Sequence, residues 1–186
     1  QEMYSVETLA RVDMLCLDKT GTITQGKMHV ETFSPLTEDF SEQAISDILS
    51  AYITASDDNN PTAQAIRKQF TTPTDYQTSN MIPFSSDRKW GAMEMSDLGT
   101  VFLGAPKMLF HEEIELAQEA QKRGSRVLAL AISPERIDHK HIHLPSSIQP
   151  IAILEITDPI RDGAADTLEY LRSQEVGLKV ISGDNP

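Results

Sequence analysis

Apolar runs near both ends, each closing on a polar stretch that carries glycine, constrain this 186-residue chain most. Val12-Asp13-Met14-Leu15-Cys16-Leu17 leads into Asp18-Lys19-Thr20-Gly21-Thr22-Ile23-Thr24, and Leu178-Lys179-Val180-Ile181 leads into Ser182-Gly183-Asp184. Each reads as a strand ending in a loop, and open α/β sheets set their reactive groups at such strand ends. A helix bearing Ala165, Leu168 and Leu171, broken by Gly177, precedes the second run, and residues 150–157 add another apolar strand. Strand and helix thus alternate at both ends.

The middle is patterned differently. Asp39 is expected to cap a helix with Glu42 three residues on, and Ile45, Ile48, Leu49, Tyr52 and Ile53 then recur at helical spacing. Asn60 caps a second helix with Pro61 in its first turn and Ala65, Ile66 and Phe70 facing inward. Residues 90–95 and 100–103, separated by Ser96-Asp97-Leu98-Gly99, read as a hairpin. One or two helices follow Pro106 through Ala117 and Ala120, residues 126–132 read as a buried strand, and 133–150 as a polar loop or edge excursion. The change of pattern implies a unit of residues 28–150 inserted into an α/β unit made of 1–27 and 151–186.

A net charge of -12 argues against nucleic acid or an anionic membrane surface as the main partner. The single cysteine, Cys16, excludes an internal disulfide, and its place in an apolar strand suggests a packed thiol. No apolar stretch reaches membrane-spanning length, and the N-terminus has no signal pattern. His139, His141 and His143 alternate, which on an extended segment would put them on one face that could ligate a transition metal, but a polar histidine-rich loop is the better account and no metal site is assigned there.

The run from Asp18 to Thr24 resembles the phosphorylation site of P-type ion-pumping ATPases. That resemblance implies that Asp18 is the nucleophile that takes the terminal phosphoryl group of ATP, forming an acyl phosphate by in-line attack. Gly21 permits a tight turn, the Thr22 hydroxyl and loop N–H groups can approach phosphoryl oxygens, and Lys19 offers a positive charge. Asp18 and the Thr20 carbonyl are the implied Mg²⁺ ligands, oxygen donors for a hard cation. Thr20 is informative because the wider haloacid-dehalogenase superfamily usually has a second aspartate there, a general acid and base that hastens phosphoenzyme breakdown. A threonine cannot do that, which fits a pump that keeps its phosphoenzyme.

Further along, Pro83-Phe84-Ser85-Ser86-Asp87-Arg88-Lys89 resembles the family's adenine pocket, with Phe84 stacking on the base and Ser86 and Lys89 beside the nucleotide. Gly104-Ala105-Pro106 matches part of a second motif, in which Gly104 lets the backbone approach the ligand. A lysine normally precedes that glycine, and here Leu103 stands in its place, removing a charge-assisted contact of about 1.5–3 kcal/mol. Arg126 corresponds to an arginine that contacts nucleotide phosphate, or is a strand-end arginine in solvent. Asp158-Pro159-Ile160-Arg161 resembles a hinge motif that supplies Asp158 and Arg161 to the nucleotide side. Ser182-Gly183-Asp184 resembles a segment near the phosphoryl site, where Ser182 could donate a hydrogen bond and Gly183 lets the main chain come close.

These segments imply a haloacid-dehalogenase-like (Rossmann-like) α/β phosphorylation domain, incomplete, interrupted by an α+β nucleotide-binding domain with an antiparallel sheet. The implied function is the ATP-binding and aspartyl-phosphorylation portion of a cation-transporting ATPase, with ATP and Mg²⁺ as cofactors. The implied partners are the membrane and actuator domains of the same parent chain, and the implied place is the cytoplasmic side of the plasma membrane. Family members complete the site with a later lysine and a Gly-Asp-Gly-x-Asn-Asp segment, so this stretch alone is expected to bind nucleotide without turnover. The rival is a haloacid-dehalogenase-type phosphatase with a large cap, against which Thr20 and the adenine-pocket segment count.

Overall fold

A computed structural model describes residues 12–181. The chain divides into two units, one comprising Gln1–Lys27 with Asp158–Pro186 and the other Met28–Thr157. In the first, strand β1 (Met14–Asp18) pairs in parallel with β8 (Gly177–Ile181), with Met14 opposite Gly177 and Asp18 opposite Ile181. Helix α5 (Ala164–Ser173) precedes β8 and packs against it. The pleat puts Met14, Cys16 and Asp18 on one exposed face and half-buries Leu15 and Leu17 on the other. The Cys16 thiol is therefore exposed rather than packed, because an apolar run does not say which of its residues the pleat turns outward.

The second unit is built on a six-stranded antiparallel sheet of spatial order β2-β7-β6-β5-β4-β3. Its strands are β2 (His29–Pro35), β3 (Thr78–Ile82), β4 (Trp90–Met95), β5 (Gly99–Gly104), β6 (Arg126–Ser133) and β7 (Gln149–Thr157). Helices α1 (Glu42–Ala55) and α2 (Pro61–Gln69) supply Ile45, Ile48, Leu49, Ile53 and Ile66 to one core, which meets Met93, Met95, Val101 and Leu103 on one sheet face. The alternate residues Trp90, Ala92 and Phe102 join Leu109 of α3 (Pro106–Leu109) and Ala117 and Ala120 of α4 (Glu115–Lys122) in a second core. The period of two that made the hairpin legible thus feeds two cores.

Two expectations change here. The boundary expected after residue 150 lies instead between Thr157 and Asp158, because β7 pairs with both β6 and β2 in the middle unit. A strand buried on both faces reads the same in a parallel or an antiparallel sheet, so its run of apolar residues could not say which unit it joined. The first helix is capped by Ser41, whose hydroxyl accepts from Ala44 N–H at 3.2 Å, and not by Asp39. The second cap is as expected, with Asn60 Oδ1 accepting from Ala63 N–H at 2.9 Å and Pro61 opening α2. Arg67 then ties the helix pair together by donating to the Ile53, Ser56 and Asp58 carbonyls.

Gly104 has no room for a side chain. A Cβ there would overlap Trp90 Cβ and lie 2.6 Å from the Lys89 carbonyl oxygen, both on the neighbouring strand edge. Its close approach is to the edge of β4, so glycine is required here by packing. Gly104→Ala is expected to lower stability by about 3 kcal/mol, read as a reduced urea midpoint at unchanged m-value.

Glu94 on β4 is nearly fully buried, and its carboxylate accepts from Ile137 N–H (2.8 Å), Asn80 (3.0 Å), Arg136 (3.2 Å) and Ser79 (3.3 Å). Burial alone would push its pKa up, but these donors outweigh burial and hold it below the ordinary glutamate value of 4.5. A depressed folded-state pKa gives stability that is present above the unfolded value and lost as pH falls through the folded one. Glu94→Gln is expected to cost about 2 kcal/mol at pH 7, with the gap to the parent sequence closing below pH 4.5 in urea titrations.

Candidate functional site

Asp18 ends β1, and the five residues after it form a wide turn that Thr24 closes by donating its N–H to the Lys19 carbonyl at 3.1 Å. Gly21 turns the chain with φ of 76°. The Asp18 carboxylate is exposed and makes no hydrogen bond among the described residues. Thr20 and Thr22 are exposed on the same turn, two and four residues after Asp18.

What fixes this loop is the segment that starts at Asp158. The Thr24 hydroxyl, 5% exposed, donates to Asp158 Oδ2 at 2.6 Å, shares its proton with the Lys19 carbonyl at 3.1 Å, and accepts from Gly21 N–H at 3.0 Å. Asp158 Oδ1 accepts from Lys27 N–H at 3.1 Å. Arg161 donates from Nε to the Thr24 carbonyl (2.9 Å) and from Nη2 to the Gly21 carbonyl (2.6 Å). Main-chain bonds from Gln25 N–H to the Pro159 carbonyl and from Arg161 N–H to the Ile23 carbonyl complete the clamp. Asp158 and Arg161 are thus bonded to the Asp18 loop.

Thr24 is the hub of that clamp and carried no assigned role in the sequence. Its one signal was position, a hydroxyl closing the run two residues after Thr22. Ser182, Gly183 and Asp184 lie outside the described residues.

In the middle unit, Phe84 follows β3 and is 37% exposed, a large apolar ring at the surface. Residues 85–89 fold back in a turn in which Lys89 N–H donates to the Ser85 carbonyl at 2.7 Å. Lys89 takes a left-handed φ of 61°, uncommon for a lysine, and its carbonyl accepts from Ala105 N–H at 2.9 Å. Phe84, Ser86, Lys89 and Gly104 are thereby gathered at one end of β3, β4 and β5. Arg88 is spent on structure, since Nη2 donates to the Pro83 carbonyl at 2.7 Å and the guanidinium lies 5.3 Å from the Trp90 ring centroid.

Arg126 heads β6 and donates to the Thr62 hydroxyl at 2.8 Å, which ties it to the start of α2. Leu103, in the position of the family lysine, is buried against α1 and α2. Lys107 lies on α3 and is exposed. Gln64 is committed to Asn59 through two hydrogen bonds.

Among the described residues no group of three or more acidic, histidine or cysteine side chains is poised to hold a metal ion. No helix among them is long and apolar enough to cross a membrane.

Residues 12–186 match the haloacid dehalogenase-like hydrolase family, and the chain belongs to it. A parallel strand pair with an aspartate at the end of its first strand is the architecture that the family implies. Among curated proteins, a probable cation-transporting ATPase, exp7, of Streptococcus pneumoniae serotype 4 is 67% identical over 186 residues. The calcium-transporting ATPases CtpE of Mycobacterium bovis and Mycolicibacterium smegmatis are 35% and 38% identical. The alignments cover 99–100% of this chain, which spans about a quarter of the length of those relatives, 23–24%.

Solved structures agree in fold. A zinc-transporting PIB-type ATPase in its E2·Pi state superposes with a TM-score of 0.68 at 22% identity, covering 97% of this chain and 27% of that one. The catalytic domain of the CPx-ATPase CopB-B gives 0.63 at 18% identity, covering 97% and 58%.

Proposed function

We propose that this chain is the nucleotide-binding and aspartyl-phosphorylation portion of a P-type ATPase that couples ATP hydrolysis to cation transport across a membrane. The observation that carries the reading is Asp18, exposed and with no hydrogen bond among the described residues, at the end of a parallel strand, on a loop held by Thr24, Asp158 and Arg161. A nucleophile must be free while its surroundings are fixed, and this loop meets both conditions. In the proposed step an Asp18 carboxylate oxygen attacks the γ-phosphorus, the bond to the bridging β,γ-oxygen breaks, and ADP leaves with the bonding pair. The loop clamp keeps the carboxylate aligned through that displacement. Relatives named as cation-transporting ATPases support the reading.

The Asp18 carboxylate and the Thr20 carbonyl form an oxygen-only donor pair, which suits Mg²⁺. When bound, that ion supplies charge neutralisation for the phosphoryl oxygens. In the middle unit, Phe84 offers a stacking face for a purine, and Lys89 and Ser86 offer polar contacts beside it. The membrane and actuator domains of a longer chain are the proposed partners, at the cytoplasmic face of the cell membrane.

The test is transfer of labelled γ-phosphoryl from ATP in the parent pump. An acid-stable, hydroxylamine-sensitive label mapping to the peptide that holds Asp18 is expected, and a label on any other residue would overturn the assignment.

A further inference from the structure

Tyr52 of α1 is 3% exposed, yet its hydroxyl has no hydrogen-bond partner among the described residues. Buried tyrosine hydroxyls ordinarily find one. Of the described side-chain nitrogens and oxygens that are both shut off from solvent and unbonded, there is only Arg88 Nε. The Tyr52 hydroxyl, unbonded as well, therefore reaches solvent with the small part of the side chain that does.

Its direction follows from Gly91. A Cβ at that position would stand 2.8 Å from the Tyr52 hydroxyl, 3.0 Å from the Phe84 backbone nitrogen and 3.1 Å from the Ile82 carbonyl oxygen. Glycine there lets the phenol tip lie on the β4 main chain, within about 6 Å of the Phe84 backbone nitrogen. Gly91 pairs across the strands with Leu103, the apolar residue that stands where the resemblance expects a lysine. Gly91, its partner Leu103 and the Tyr52 hydroxyl thus lie near the Phe84 backbone.

We propose that Tyr52 reads the nucleobase, its hydroxyl hydrogen-bonding a polar edge of the purine that stacks on Phe84. This rests on the nucleotide reading of the middle unit. A phenol can donate to a purine ring nitrogen or accept from an exocyclic amine, and a largely apolar pocket with one convergent polar group is the usual form of a base site. Burial, and secondarily the negative charge of Asp58, push the Tyr52 pKa up, so the hydroxyl keeps its proton at any physiological pH. The polar contact that Leu103 cannot make is supplied from the helix behind it.

Calorimetric titration of the 186-residue chain with ATP and with inorganic triphosphate tests the assignment. Tyr52→Phe is expected to weaken ATP binding about fivefold, to leave triphosphate binding unchanged, and to leave Tm unchanged or raised, since no internal hydrogen bond is lost. Phe84→Ala is expected to weaken ATP and spare triphosphate too. Equal ATP affinity in the parent sequence and Tyr52→Phe, with Phe84→Ala weakened, would remove Tyr52 while the base site stands. Unchanged ATP affinity in Phe84→Ala would overturn both. A fall in Tm, or equal losses for ATP and triphosphate in Tyr52→Phe, would mark a structural role and overturn the proposal.

Discussion

Asp18→Asn in the parent pump is expected to reduce the acid-stable phosphoenzyme to background and to abolish turnover. The amide has nearly the shape of the carboxylate but neither its charge nor its nucleophilic oxygen, so the acyl phosphate cannot form. The exposed position makes the control clean. Because the Asp18 side chain bonds nothing among the described residues, the substitution should change stability by no more than about 0.5 kcal/mol. Phosphoenzyme trapping by acid quench and a thermal melt on the same preparation separate loss of chemistry from loss of fold. Persistent label would exclude Asp18 as the acceptor.

Thr20→Asp is the second large effect, and its sign distinguishes a pump from a phosphatase. Thr20 is exposed two residues after the nucleophile, on a loop whose path is fixed by Thr24, Asp158 and Arg161. An aspartate there could take the proton of an attacking water. General acid and base catalysis of that kind contributes on the order of 10²–10⁴-fold. The phosphoenzyme of Thr20→Asp is therefore expected to form but to decay faster by that order in a chase with unlabelled ATP. An unchanged decay rate would mean that Thr20 does not face the hydrolytic water, and the argument from threonine would fail with it.

Both variants concern a loop whose motif was visible in the sequence and whose support was not. The match from Asp18 to Thr24 is seven adjacent residues, and adjacency is what a sequence displays directly. The partners of Thr24 are Asp158 and Arg161, more than 130 positions away. Nothing local to Asp158-Pro159-Ile160-Arg161 shows that its carboxylate and guanidinium bond the Asp18 loop. The same limit applies at Gly104, whose tight packing against Trp90 Cβ no local sequence feature shows.

Sequence alone determined the features that depend on near neighbours: the strand ending at Asp18, the Asn60 cap, the hairpin of β4 and β5, and the change of pattern that announces an inserted unit. These follow from hydrogen-bond geometry and side-chain periods within a few residues. Tertiary structure decided which sheet β7 joins, which face of β1 turns Cys16 outward, and that α1 sets the Tyr52 hydroxyl against Gly91. Those outcomes depend on pairing and packing between distant segments, where one apolar run satisfies several arrangements equally and only the assembled core selects among them.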